Sequence, residues 1–342
     1  MSLDPRSPVL SPRVGPNVGT KVRRRALGAL AGLLGLAAAG FAPPAAAADT
    51  IPIIVKDTTA QYWQIVLAGA RKAAKDLGVN VPEMGAQSEA DIAGQISALE
   101  NAVASRPTAI VISPTQFAAL GPPITEAAKS VKIIGIDSAA DSKAFTSFLT
   151  TDNVQGGRLA ADALAEAVKA KTGKAEGPVA LITSLPGVGS LDQRAKGFKE
   201  TLASKYPGLK LVAERVADGQ PTTGLNITTD LLTANPNLVG IFASNLTMAQ
   251  GAGQAVAELK PEKLSLIGFD SDPKLVQFLK DGVISALIVQ DPFRMGYDGV
   301  KTALAAAKGE KVPADVDTGV NLITKANLET PRAQELLNPK LN

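Results

Sequence analysis

Short runs of β-branched and apolar residues alternate along this chain with longer stretches of helical period, and the alternation starts twice. The first series reads Ile51–Val55, then Gln61–Leu77; Ala109–Ile112, then Phe117–Lys129; Val131–Ile136, and a short run Phe145–Thr150. After the linker-like Thr151-Asp152-Asn153 it resumes with Val154–Ala170, Val179–Thr183, Leu191–Ser204, Leu209–Arg215, Leu225–Ala234, Leu238–Ala243, Leu246–Leu259 and Leu264–Phe269. Strands separated by helix-length segments form parallel sheets with crossover helices, an α/β fold. Ala109-Ile110-Val111-Ile112 has no polar position, which fits a strand covered on both faces. So many βα units exceed one open sheet of usual width, and two similar lobes are expected. The repetition is one of pattern, with no residue-level repeat evident.

The first 48 residues read differently. Lys21, Arg23, Arg24 and Arg25 precede the small and apolar run Ala26–Phe41, and Ala46-Ala47-Ala48 stands before Asp49. This is a secretory signal peptide, with cleavage expected after Ala48, and the apolar run is too short to span a bilayer. Export by the general or the twin-arginine route is left open by Arg24-Arg25. Over the whole chain 35 Lys and Arg face 32 Asp and Glu. The segment removed carries six of the basic residues and one acid, Asp4, so 29 basic residues face 31 acids in the mature chain. The mild basicity therefore leaves with the signal, and a nucleic-acid partner loses its support.

The chain has no cysteine and no histidine. Histidine-dependent triads, HExxH zinc sites, thiolate metal sites and thiol nucleophiles are excluded with them. Gly187-Val188-Gly189 lacks the third glycine of a dinucleotide loop, and there is no GxxxxGK[ST]. No cofactor and no enzyme activity are expected.

In open α/β sheets the ligand sits beyond the carboxyl ends of the strands. The polar residues there are Lys56-Asp57, Ser113, Asp137-Ser138, Asn245, Asp270 and Gln290. Aromatic residues make up only 4 %, so Tyr62 and the single tryptophan, Trp63, stand out beside the first strand-to-helix turn. An aromatic face packs on the C–H face of a sugar, while carboxylates, amides and a guanidinium pair with hydroxyls, so this set suits a neutral polyhydroxylated ligand. Asp, Asn and Ser at strand ends also serve as helix N-caps, a rival role for Asn245 and Asp270. Arg194 lies in a polar run where an exposed position is the default, and Tyr62 and Trp63 suit a core equally well.

Several segments in this order carry a resemblance: Tyr62-Trp63 with Gly69 and Gly78; Ala109-Ile110-Val111-Ile112-Ser113-Pro114; Ile136-Asp137-Ser138; and Thr151-Asp152-Asn153 with Gly156-Gly157. Arg194-Ala195-Lys196-Gly197-Phe198, Phe242-Ala243-Ser244-Asn245, Gly268-Phe269-Asp270 and Gln290-Asp291-Pro292 follow. Over about Ile51 to Leu322 the chain resembles the ribose-binding-protein-like family of periplasmic solute receptors, type I of the periplasmic binding protein fold. The resemblance implies two Rossmann-like lobes with parallel sheets, joined by three hinge crossings near Thr151–Asn153, Gln290–Pro292 and Gly319–Leu322. It implies an N-terminal lobe of residues 49–152 plus about 291–320, a C-terminal lobe of 153–290 plus about 321–330, and a polar tail, 331–342. Tyr62 and Trp63 take the places of the stacking aromatics, Asp137 and Asp270 those of the hydroxyl-binding carboxylates. Asn245, Gln290 and Arg194 match the amide and guanidinium contacts, and Phe269 a further aromatic wall.

The function implied is a periplasmic receptor, expected as a monomer, that hands a sugar or polyol to the permease of an ABC importer and meets the membrane only through it. Departures disfavour a pentose of the ribose type: Ser138 replaces an arginine, Gly219 an aromatic, and Thr59 and Ala60 two asparagines. Lys56, Asp137 and Asp192-Gln193 resemble the family's autoinducer-2 receptors, which sets beside the sugar receptor a signal receptor feeding a transporter or chemoreceptor.

Overall fold

The computed structural model describes residues 48–339; the expected signal peptide and its cleavage site lie outside or at the edge of that range. In the first series come β1 (Ile53–Val55), α1 (Gln61–Leu77), β2 (Glu83–Gly85), α2 (Ile92–Ala104), β3 (Ala109–Ile112), α3 (Phe117–Ala127), β4 (Lys132–Ile136) and β5 (Ser147–Thr150). The second has α4 (Asn153–Thr172), β6 (Gly177–Ser184), α5 (Gly189–Lys205), β7 (Leu209–Ala217), α6 (Pro221–Ala234), β8 (Gly240–Ala243) and α7 (Leu246–Leu259). It continues with β9 (Ser265–Phe269), α8 (Pro273–Asp281) and β10 (Ala286–Gln290). Last come α9 (Pro292–Ala307), β11 (Asp315–Asp317), β12 (Val320–Ile323) and α10 (Pro331–Leu337).

Two six-stranded sheets result, in the orders β11-β5-β4-β3-β1-β2 and β12-β10-β9-β8-β6-β7. These are one strand order used twice, parallel except where β12 runs against β10. The central strands β1, β3 and β8 are buried along their whole length, as their unbroken apolar character requires. The chain passes between the sheets from β5 to α4, from β10 to α9, and from β11 to β12 at Thr318-Gly319. At the first two passages an aspartate caps the outgoing helix: Asp152 Oδ1 accepts Gln155 N–H at 2.8 Å, and Asp291 Oδ1 accepts Arg294 N–H at 3.0 Å.

The two lobes also share a pair of matched glycine positions that no sequence repeat announces. Gly69 and Gly197 are each the ninth residue of a 17-residue helix, α1 and α5. Gly296 and Gly157 are each the fifth residue of α9 and α4. A Cβ at Gly69 would lie 2.0 Å from Phe293 O, and one at Gly296 1.9 Å from Val66 O. The other lobe matches: 2.0 Å from Gly197 to Val154 O and 2.1 Å from Gly157 to Arg194 O. Two helices thus cross with backbones in contact in each lobe, which only glycine permits. Four scattered glycines give no linear motif, so the repeat is visible only in space.

Elements the sequence reading passed over are β2, α2, α8, α9, β11 and β12. For α2 the signal was present: Asp91 Oδ1 accepts Gly94 N–H at 2.8 Å, and Leu99 and Ala102 follow at helical spacing on the buried face. The segment read as a polar tail is a correction. Thr330 and Pro331 start α10, whose Ala333, Leu336 and Leu337 are buried, and Arg332 reaches back to Asp291 at 2.8 Å. Three apolar residues on one face outweigh the polar composition of the segment.

Candidate functional site

The carboxyl ends of both sheets face a cavity between the lobes. Asp137 follows β4 and Asp270 follows the equivalent β9, and each donates its backbone N–H to the next strand: to Leu149 O at 3.0 Å and Ile288 O at 2.7 Å. Both adopt left-handed backbone angles, φ 62° and 67°. Neither caps the helix after its own strand, since Asp272 caps α8 and no helix follows β4, although Asp270 also meets the Leu246 N–H at the start of α7. Strained backbone at two equivalent strand ends, with neither side chain capping the helix after its strand, marks a functional position.

On the N-terminal side Asp137 is 4 % exposed and Lys56 3 %. Lys56 Nζ lies 2.7 Å from Asp137 Oδ2 and donates to Ser138 Oγ at 2.6 Å. Ser113 and Ser138 hydroxyls also donate to Oδ2, at 3.1 and 3.0 Å, and Tyr62 O–H donates to Oδ1 at 3.0 Å. Burial alone would raise the Asp137 carboxyl, but the Lys56 ammonium and its hydrogen bond hold it below the usual carboxylate range. Burial, helped by Asp137, pushes the Tyr62 phenol well up, so it stays a donor. Trp63 packs edge-on to Tyr62, ring centres 4.9 Å apart, and gives its indole N–H to Glu89 Oε1 at 2.6 Å.

On the C-terminal side Arg194, 3 % exposed, lies with its guanidinium 3.7 Å over the Phe269 ring. Its Nε donates to Asn153 Oδ1 at 2.8 Å and one terminal N–H to Ser244 O at 2.9 Å. Asp270 Oδ1 accepts Gln290 Nε2–H at 2.7 Å, and Gln290 Oε1 is buried without a partner among the described residues. Burial raises the Asp270 carboxyl, and the Arg194 charge only partly offsets this. Asn245 does cap α7, taking Met248 N–H at 3.2 Å, while its Nδ2 donates to Ser184 Oγ at 3.0 Å. The capping and cavity roles coexist there.

Of the residues singled out in the sequence, Lys56, Tyr62, Trp63, Asp137, Arg194, Asn245, Asp270 and Gln290 line the cavity. Phe269 and Ser138 do not. Phe269 is fully buried beneath Arg194, so it supports the guanidinium instead of forming a wall. Ser138 turns to Lys56, Asp137 and Ser190, whose hydroxyl is 2.8 Å away across the cleft. Asp192 and Gln193, two marks of the autoinducer-2 resemblance, are exposed on α5 and away from the cavity lining. Sequence reasoning missed Glu89, Ser190 and Asp218, which do line it. Glu89 sits on the loop after β2 and Ser190 in the first turn of α5, while Asp218 directly follows β7, a strand whose end was not read for polar residues. Among the described residues no group of His, Cys, Asp and Glu could hold a metal ion, and no helix is long and apolar enough to cross a membrane.

Two lobes of one strand order, three chain passages and a polar cavity between the sheets define a type I periplasmic binding protein. Residues 51–311 match the periplasmic binding protein domain, and the chain belongs to that family. A carbohydrate transporter solute-binding protein from Agrobacterium radiobacter, solved with D-arabinose, is 69 % identical; the match covers 86 % of this chain and all of that one, with a TM-score of 0.85. An ABC transporter solute-binding protein from Agrobacterium vitis, solved with D-fucose, is 36 % identical over 84 % of this chain and 99 % of its own, TM-score 0.79. The ribose import binding protein of Haemophilus influenzae is 31 % identical over 86 % of this chain and 96 % of its own length.

Proposed function

We propose that this protein is a periplasmic receptor that captures a neutral monosaccharide between its lobes and delivers it to an ABC importer. The observation that carries the reading is the pair of buried carboxylates, Asp137 and Asp270, facing one cavity from equivalent strand ends, one beside Lys56 and the other beside Arg194. Carboxylates accept from hydroxyls while the cations and Tyr62 donate, so paired hydrogen bonds surround a polyhydroxylated ring. Lys56 and Arg194 face five acids around the cavity, Asp57, Glu89, Asp137, Asp218 and Asp270, a balance that disfavours a sugar phosphate. The neighbour solved with D-arabinose favours a pentose epimeric with ribose at C2, which accords with the departures from the ribose pattern.

In this reading the ligand bridges both lobes, shifts the open–closed equilibrium toward closure and leaves chemically unchanged. The lobes comprise 49–152 with 291–318 and 153–290 with 319–330, α10 adding to the fold from the C-terminal end. The N-terminal 48 residues act as the export signal, and the mature monomer meets the permease in the periplasm. Calorimetry on the chain from Asp49 tests this against pentoses, hexoses, polyols, their phosphates and autoinducer-2. Binding of a free sugar or polyol with no binding of its phosphate is expected. Silence across the neutral sugars and polyols, or a preference for autoinducer-2, overturns it.

A further inference from the structure

Glu89 stands in the loop between β2 and α2, a segment with no signal in the sequence, yet it lines the cavity beside Trp63. Its backbone is pinned, because the Thr115 hydroxyl donates to Glu89 O, and its Oε1 holds the Trp63 indole N–H at 2.6 Å. Among the described residues no protein donor reaches Oε2. A carboxylate oxygen with no protein partner, on a half-buried side chain held by the indole over a pinned backbone, is an acceptor open to something that enters the cavity. Lys56 lies on the other side of the indole, its Nζ 5.4 Å from the ring centre. Two of its three N–H donors are taken by Asp137 and Ser138, which leaves one. The corner therefore presents one charged donor and one charged acceptor flanking an aromatic ring.

We propose that Glu89 is a ligand-contacting, specificity-setting residue, whose Oε2 accepts one hydroxyl of the bound sugar while Lys56 donates to a neighbouring oxygen. The inference rests on the sugar-receptor reading and sharpens it: the ligand must carry a hydroxyl, not merely an oxygen, at the position facing Glu89. A ring oxygen, an ether or a deoxy carbon there leaves a carboxylate desolvated and unpaired, which discriminates strongly against it.

The rival role, holding Trp63 and nothing else, is separable because Trp63 is the only tryptophan in the chain and its emission reports this site. Glu89→Gln keeps an oxygen for the indole N–H and places an amide NH₂ where Oε2 stood. Wild type, Glu89→Gln and Glu89→Asp are titrated by calorimetry with D-arabinose and with its analogues lacking one ring hydroxyl each, after thermal melts establish folding. Glu89→Gln should lose about 10-fold or more in D-arabinose affinity. The ligand-free Trp63 emission should stay unchanged, and one deoxy analogue should lose far less. Glu89→Asp, which keeps the charge but draws it back by one methylene, should show the same selective loss. Equal losses for every sugar, or affinity within about 2-fold of wild type, overturn the contact and leave Glu89 a support for Trp63. If wild type binds none of these sugars and none of the calorimetric panel, the receptor reading falls, and this inference falls with it.

Discussion

At the level of single residues, the two site carboxylates are equivalent in the fold and opposite in electrostatics. Asp137 is held ionised by Lys56, whereas Asp270 is pushed toward its neutral form by burial. A carboxyl raised in the fold weakens stability once pH passes its unfolded value, because ionisation then costs more folded than unfolded. Asp270→Asn should therefore raise the Tm of the unliganded protein near neutral pH while weakening sugar binding about 10-fold or more, since an amide accepts fewer hydroxyls. An unchanged or lower Tm would count against this account of Asp270. Affinity in the wild type should fall as pH drops through the raised Asp270 range, before Asp137 protonates; an affinity that stays level with falling pH until the protein acid-unfolds would contradict the assignment. Asp137 acts in the opposite sense, its stabilisation being present above the ordinary carboxylate value and lost as pH falls through its lowered one. The strand-end residues were legible because α/β topology sends strand termini to the ligand. Phe269 and Glu89 were misjudged or missed because facing a cavity depends on side-chain direction and loop path, neither of which follows from local pattern.

Among the elements, most strands and the helices after them could be read from hydrophobic period, but short β2, β11 and β12 and the helices α2, α8 and α9 were passed over, and α10 was not read because its buried face is three residues wide. Truncation after Thr330 removes the buried Ala333, Leu336 and Leu337, uncovers the apolar surface they pack on and removes the Arg332–Asp291 pair. The expected loss is roughly 3–6 kcal/mol as an upper estimate, read as a lower denaturant midpoint with the fold otherwise retained. A midpoint equal to that of the full chain would show α10 to be an appendage. The α1–α9 contact makes a sharper prediction. Gly69→Ala pushes a methyl into the Phe293 carbonyl, an overpacking that costs about 1–3 kcal/mol and lowers the Tm by roughly 3–10 °C. Gly197→Ala should cost about the same in the other lobe. A marked inequality between the two would show that the lobes do not share this packing.

For the whole molecule, the cleft is bridged at its lip, by Phe117 N–H to Gly187 O at 2.9 Å and by the Ser138 and Ser190 hydroxyls. The chain has no cysteine of its own, so Ser138→Cys with Ser190→Cys forms a disulfide that only a closed cleft allows. Oxidation after loading with D-arabinose should slow sugar release at least about 10-fold, and reduction should restore it; release at the same rate in both redox states would show that the cleft opens without parting these serines. The doubling into two similar lobes was legible from the alternation, but the doubled helix contact was not, since its glycines recur at matching helix positions rather than at a fixed interval along the chain. That contact bears on how motion is distributed. Where two helix backbones touch, neither can slide or tilt past the other without collision, so each lobe turns as one piece. Deformation is left to the three passages, Thr151-Asp152, Asp291 and Thr318-Gly319. Amide protons in α1, α4, α5 and α9 should then exchange with solvent deuterium equally slowly in the open and the closed protein, and the opening motion should leave its isotopic trace only at the passages and the cleft rim.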